Sequence, residues 1–202
     1  AGTTDSNAAF IATGNTHPGD AVTSLGTTLV IKILNELPVN DLESGVYSHK
    51  LGDYWLCGGA SNAGAGILRQ FFSDQQLIDY SRQIDCQYPS GLDYYPLSRT
   101  GERFPINDPD KKPIIEPRPE SDIEFLHALL EGLSRIEQNG YQKLIALGSI
   151  APTQIQTSGG GAHNPQWQVL RQQLLGIPVT VASQTQAAFC SAILALEGVS
   201  AY

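Results

Sequence analysis

Two apolar runs, Ala21-Val22-Thr23-Ser24-Leu25 and Leu29-Val30-Ile31-Lys32-Ile33-Leu34, are rich in β-branched residues and separated only by Gly26-Thr27-Thr28. That pattern predicts a β-hairpin whose turn offers a glycine amide and two hydroxyls. Ahead of it a short helix is expected from Asp5, which is placed to start it, to Gly14, which is placed to stop it. Beyond the hairpin, residues 55–60 read as a third strand and residues 62–72 have helical spacing with small residues at the start. A polar, amphipathic helix follows at 73–84, and 92–97 reads as a short strand.

Residues 101–113 are rich in proline and charge, and they read as an ordered excursion because helices resume beyond them. Ser121 and Asp122 can cap a helix over 123–139, where Phe125, Leu126, Leu129, Leu130, Leu133 and Ile136 recur at i, i+3, i+4 spacing. Gly140 is expected to end it, and 143–147 to form a short strand or a helix end. A strand at 154–157, three glycines, a helix at 165–175, a strand at 177–182 and an Ala-rich helix at 185–196 complete the chain.

The glycines Gly159, Gly160 and Gly161 thus fall at a strand-to-helix junction, where α/β folds bind ligands. Without Cβ atoms they let a ligand lie against the backbone, and amides at a helix start favour anionic groups. A glycine triplet by itself is equally an ordinary loop, and Gly26-Thr27-Thr28 by itself is equally an ordinary turn.

Composition narrows the classes of function. The 202 residues carry a formal charge of −8, with no clustering of Lys and Arg, which argues against binding a nucleic-acid backbone. No apolar run reaches the length of a membrane span, and no basic amphipathic helix suits a membrane surface. Cys57, Cys86 and Cys190 are odd in number and far apart, which fits a reducing compartment and suggests neither a disulfide framework nor a zinc site. His17, His49, His127 and His163 lack metal-ligand spacing, and no Gly-x-Ser-x-Gly elbow is present. The chain contains no Met, so it is expected to be a processed or excised piece of a longer protein.

Taken together, Asp5 at a helix start, Gly26-Thr27-Thr28, Gly101-Glu102-Arg103-x-Pro105-x-x-Asp108-Pro109 and Gly159-Gly160-Gly161-Ala162 stand in an order that resembles the carboxy-terminal half of FGGY-family carbohydrate kinases. Within that family, Gly2-Thr3-Thr4-Asp5-Ser6-Asn7-Ala8-Ala9 and Ala21-Val22-Thr23-Ser24-Leu25-Gly26 are most similar to cyanobacterial and plastid pentulose kinases. The resemblance implies an α/β fold, the actin-like (ribonuclease-H-like) ATPase domain: a mixed sheet flanked by helices, one lobe of a two-lobe kinase. Residues 1–202 would then be the carboxy-terminal nucleotide-binding domain, without the amino-terminal sugar-binding domain.

By the same resemblance Asp5 is the catalytic base, taking the sugar hydroxyl's proton as its oxygen attacks the γ-phosphorus. Gly26, Thr27 and Thr28 would hold the β- and γ-phosphates, Gly64 would lie beside the nucleotide, and Gly160, Gly161, Ala162 and Asn164 would form the adenosine-binding loop. ATP and Mg2+ are the implied cofactors, and no side chain is assigned to the metal directly, Asp5 reaching it at most through water. The implied substrate is a pentulose, D-ribulose before xylulose, bound through the absent domain, in the cytoplasm or, in a plant, the plastid stroma. An isolated piece would be inactive and would self-associate through its exposed interdomain face. The chain departs from many relatives in its last helix, at Thr185 and Cys190. Two other readings stay open: a non-catalytic actin-like module for nucleotide binding or assembly, and a structural domain with incidental glycines.

Overall fold

The computed structural model describes residues 5–184, without the side chains of residues 5, 6 and 9. The expected closing helix at 185–196, with Thr185 and Cys190, and the opening Gly2-Thr3-Thr4 lie outside the described residues. A six-stranded mixed sheet forms the centre, built from β1 (Asp20–Leu25), β2 (Leu29–Asn35), β3 (Tyr47–Leu51), β4 (Tyr54–Ser61), β5 (Gln154–Ser158) and β6 (Val179–Val181). Their spatial order is β3-β4-β2-β1-β5-β6. β3, β4, β2 and β1 pair antiparallel, as hairpin connections allow, whereas β5 and β6 run parallel to β1.

Alternation along the strands divides the core between the two faces of the sheet. Ala21, Leu25, Leu29, Ile31, Ile33, Cys57 and Ile155 share one cluster with Phe125, Leu129, Leu133 and Ile136 of α3 (Asp122–Ala146) and with Trp167 and Leu170 of α4 (Pro165–Leu175). On the other face Val22, Leu34 and Leu56 pack around Phe10 of α1 (Asp5–Ala12). The fourth helix, α2 (Asp74–Ser81), starts in a reciprocal capping box between Ser73 and Gln76.

Several expectations are corrected. Gly140 does not end α3, which runs on through residues 143–146. A Cβ at Gly140 would come within 2.8 Å of Phe104 Cε1, and one at Gly59 within 2.4 Å of Phe104 Cδ2. The fully buried Phe104 ring therefore lies between α3 and β4, in space that two glycines leave open. Burial of such a ring stabilises by roughly 1.5–3 kcal/mol, enough to outweigh the roughly 1 kcal/mol that a mid-helix glycine costs. Residues 55–60 belong to the fourth strand, because the polar Tyr47–Leu51 forms β3 at the sheet edge. The expected helix over 62–72 is a short 3-10 helix, Ala65–Gln70, and 92–97 contributes only an isolated bridge between Tyr95 and Ile114. Residues 101–113 are an ordered excursion, pinned by a bridge between Glu102 and Asp108.

Candidate functional site

β1 and β5 are adjacent and parallel, with Ser24 opposite Ser158, so their carboxyl ends deliver the Gly26-Thr27-Thr28 turn and the glycine loop side by side. The turn closes through the Gly26 amide, which donates to the Thr28 carbonyl oxygen at 3.2 Å. At its tip the amides of Thr27 and Thr28 find no acceptor among the described residues. The chain after β4 braces the turn from the other side: the amides of Ala65 and Gly66 donate to the carbonyl oxygens of Gly26 (2.8 Å) and Thr27 (3.3 Å), and Leu29 donates to Ala63 at 2.6 Å. Gly64 is buried in that brace, where a Cβ would stand 2.6 Å from the Thr27 carbonyl oxygen.

Glu102 holds the brace from beneath. Its buried carboxylate accepts from the Asn62 amide (2.7 Å) and the Arg103 amide (2.9 Å) through Oε1, and from Ser61 Oγ (2.6 Å) and Tyr95 Oη (3.0 Å) through Oε2. Burial, and then the Glu102 charge, push the Tyr95 phenol well above its ordinary range. The Gly-Glu-Arg-x-Pro segment thus fixes the loop that shapes the turn.

The three loop glycines have different reasons to be glycine. Gly159 has φ +84°, and a Cβ there would meet the Leu25 carbonyl oxygen at 2.7 Å, so the two loops touch through bare backbone. At Gly161 a Cβ would fall 2.5 Å from the Trp167 ring and 2.8 Å from Leu25 Cβ. Gly160 has no atom within 4 Å of its would-be Cβ and presents open backbone. Ala162 is buried in the 3-10 turn Gly160–His163. Asn164 caps α4, its Oδ1 accepting from the Trp167 amide at 3.0 Å while its Nδ2 donates to Ser81 Oγ of α2 at 2.8 Å.

Between the turn, the glycine loop and α2 lies a cleft of about 760 Å³. Of the residues singled out in the sequence it is lined by Gly26, Thr27, Gly160, Gly161 and Asn164, whereas Thr28, Gly64 and Ala162 are not part of that lining. Helix α1 begins at Asp5, whose carboxylate lies outside what the structure describes. The sequence reading missed the far wall, made of Leu77, Ile78 and Ser81 from α2 and Arg82 just after it, and the contributions of Arg69, Gln166 and Trp167. The Ser73-x-x-Gln76 signature locates α2, but the face it turns to the glycine loop is set by the Asn164 to Ser81 bond, a long-range contact.

Chemically the cleft combines the apolar side chains of Leu77 and Ile78 with the unpaired amide of Thr27, a combination suited to a flat ring joined to an anionic group. Arg69 stands at the rim in an exposed pair with Asp74, 3.1 Å away. Among the described residues no cluster of three or more His, Cys, Asp or Glu side chains is placed to hold a metal ion, and no helix is long and apolar enough to cross a membrane.

Comparison with known proteins gives one family. The sequence model of the carboxy-terminal domain of the FGGY family of carbohydrate kinases matches residues 21–196. A xyloylose kinase from Brucella ovis superposes with a TM-score of 0.80 at 26% identity, over 94% of this chain and 41% of its own. The xylulose kinase from Bifidobacterium adolescentis gives 0.77 at 23% identity over 93% and 38%, and a ligand-bound xylulose kinase from Lactobacillus acidophilus gives 0.82 at 20% identity over 97% and 42%. The chain spans about two fifths of the length of these solved relatives.

Proposed function

Since the chain belongs to the FGGY family of carbohydrate kinases and has the actin-like fold of their carboxy-terminal lobes, we propose that it is the ATP-binding lobe of a pentulose kinase. D-Ribulose is the favoured sugar and xylulose the next. The observation that carries this reading is the convergence of the Gly26-Thr27 turn and the Gly160-Gly161 backbone on one cleft of about 760 Å³. The triphosphate would lie over the unpaired amides of Thr27 and Thr28, and the nucleoside against Gly160 and the α2 wall. Mg2+ would enter as the nucleotide complex, held through phosphate oxygens and neutralising charge as the γ-phosphoryl group moves.

Asp5, at the start of α1, would accept the proton from the attacking sugar hydroxyl. The new bond joins that oxygen to the γ-phosphorus, the bond to the β-phosphate oxygen breaks, and ADP leaves. The sugar would be held chiefly by an amino-terminal domain outside this sequence, so the chain alone is expected to bind Mg·ATP and to turn over little or no pentulose.

Titration calorimetry of the chain with Mg·ATP tests the lobe assignment: saturable one-to-one binding, weakened in Thr27→Ala, supports it, and absence of saturable heat overturns it. In the longer protein Asp5→Ala should abolish phosphorylation of ribulose and xylulose while leaving ATP affinity nearly unchanged. Loss of ATP binding or of folding in that variant would instead make Asp5 a helix cap.

A further inference from the structure

The buried face of α3 is mostly apolar, yet Ser134, Glu137 and Tyr141 interrupt it at i, i+3, i+7 spacing, each at most 3% exposed. All three are spent on the elements that carry the cleft. Ser134 Oγ accepts from Trp167 Nε1 at 3.1 Å, and the Trp167 ring is the one that backs Gly161. Glu137 pairs with Arg171 of α4 and accepts from Thr23 Oγ1 of β1, while Arg171 also donates to Thr157 Oγ1 of β5. The single proton of Thr23 Oγ1 goes to Glu137, so Tyr141 Oη, 2.9 Å away, donates to that oxygen. Thr23 and Thr157 are direct cross-strand partners. The bonds from Thr23 through Glu137 and Arg171 to Thr157 therefore close a ring across the two strands, three residues before Gly26 and Gly160.

A buried ionic network is weak evidence for stability, since apolar side chains of similar volume often hold helices together as well or better. What it supplies is direction, because each charge-assisted bond fixes a distance and an angle. The pairing of β1 with β5 ends at Ser24 and Ser158, and no backbone hydrogen bond among the described residues joins residues 26–28 to residues 160–163. Their relative placement comes from what holds the strand ends and α4. We infer that Glu137 and Arg171 are positioning residues of the nucleotide site, setting the offset between the Gly26-Thr27-Thr28 turn and the glycine loop so that one ligand can span both. This rests on the nucleotide reading of the cleft. Neither side chain is part of the cleft lining, so they act through Thr23 and Thr157 and not on the ligand itself.

The test is titration calorimetry of the chain with Mg·ATP, which would span both loops, and with adenosine, which would reach only the glycine loop. Arg171→Met combined with Glu137→Leu leaves the net charge unchanged and leaves each loop its own local hydrogen bonds. Adenosine should bind this variant as before, while Mg·ATP weakens roughly tenfold, the worth of about one charge-assisted hydrogen bond put out of line. Thr157→Val keeps the ion pair and removes one link of the ring. It should weaken Mg·ATP less, again with adenosine unchanged, and it decides the matter if the double variant does not fold. Unchanged Mg·ATP affinity, or equal weakening of adenosine and Mg·ATP, overturns the positioning role while the cleft remains a nucleotide site. No saturable heat from Mg·ATP in the unaltered chain overturns both.

Discussion

Arg171 of α4 and Glu137 of α3 face each other in a bidentate ion pair, Nε to Oε2 at 2.6 Å and Nη2 to Oε1 at 2.7 Å, with both side chains out of contact with water. Each partner also reaches the sheet. Arg171 Nη1 donates to Thr157 Oγ1 of β5 at 2.7 Å, and Thr23 Oγ1 of β1 donates to Glu137 Oε1 at 2.5 Å and lies 2.9 Å from Tyr141 Oη. β1 and β5 are the two strands that carry the Gly26-Thr27-Thr28 turn and the glycine loop. The ion pair therefore fixes two helices to the pair of strands whose ends form the cleft.

Removing one member leaves a buried charge without its partner, so Glu137→Ala should cost about 3–5 kcal/mol of stability. Arg171→Met combined with Glu137→Leu removes both charges and should recover most of that loss. Urea unfolding of the single and double variants checks this. A double variant no more stable than Glu137→Ala would mean that the bonds to Thr23 and Thr157 carry the energy instead.

The three glycines should separate in mutagenesis. Gly161→Ala puts a Cβ 2.5 Å from the Trp167 ring, and overpacking of this kind should cost roughly 1–3 kcal/mol and displace the loop. Gly160→Ala meets nothing within 4 Å and should leave stability within about 0.5 kcal/mol of the unaltered chain. If the nucleotide lies against Gly160, the same substitution should nonetheless weaken Mg·ATP binding. Thermal unfolding paired with calorimetric titration distinguishes them, and equal destabilisation of both variants would contradict the packing described.

Elements set by local pattern were legible in the sequence: the β1–β2 hairpin, the cap and apolar stripe of α3, and the junction of β5, the glycine loop and α4. What failed depended on distant partners. Gly140 looks like a helix stop until Phe104, 36 positions earlier, is seen to need its space. β3 has no β-branched residue, and its register comes from β4 alone. Of the cleft lining, Gly26, Thr27, Gly160 and Gly161 were readable because backbone chemistry has a composition. The α2 wall and the ring of bonds from Thr23 to Thr157 were not, since each is defined by which atoms the fold leaves beside it.

Glu102 should be the costliest residue of the 101–113 excursion. Its truncation leaves the amides of Asn62 and Arg103 and the hydroxyls of Ser61 and Tyr95 without their acceptor. At about 1–3 kcal/mol per orphaned buried donor, Glu102→Ala should lose at least 3 kcal/mol, and Glu102→Gln, which keeps an oxygen, distinctly less. The Asn62 amide leads directly into Ala63 and Gly64, so Glu102→Gln should also weaken Mg·ATP binding. Unfolding and titration of the two variants decide it, and near-wild-type stability in Glu102→Ala would show the donors finding water.

Lys32 gives the fold a pH dependence of unusual sign. It lies in the middle of β2, only 2% exposed, with its ammonium 4.3 Å above the Tyr47 ring and no hydrogen-bond acceptor among the described residues. Burial lowers its pKa from 10.5 to about 8, against a smaller opposing influence from Cys57. The unfolded chain thus holds a proton that the folded chain sheds between pH 8 and 10.5, and stability rises with pH across that interval. Below pH 8 the burden is fully present, on the order of 3 kcal/mol. The opposing groups enter later: burial raises Cys86 above 9.0 and Tyr47, Tyr94, Tyr95 and Tyr141 above 10.0, and each subtracts stability once the pH passes that unfolded value. The rise should therefore be clearest from about pH 7.5 to 9. Lys32→Met fills similar space without the charge, and should raise stability at pH 7 by about 1–3 kcal/mol while flattening that rise. Guanidinium unfolding at several pH values measures both. A less stable Lys32→Met variant, with no rise in the unaltered chain, would mean that the contact with Tyr47 compensates the ammonium in full.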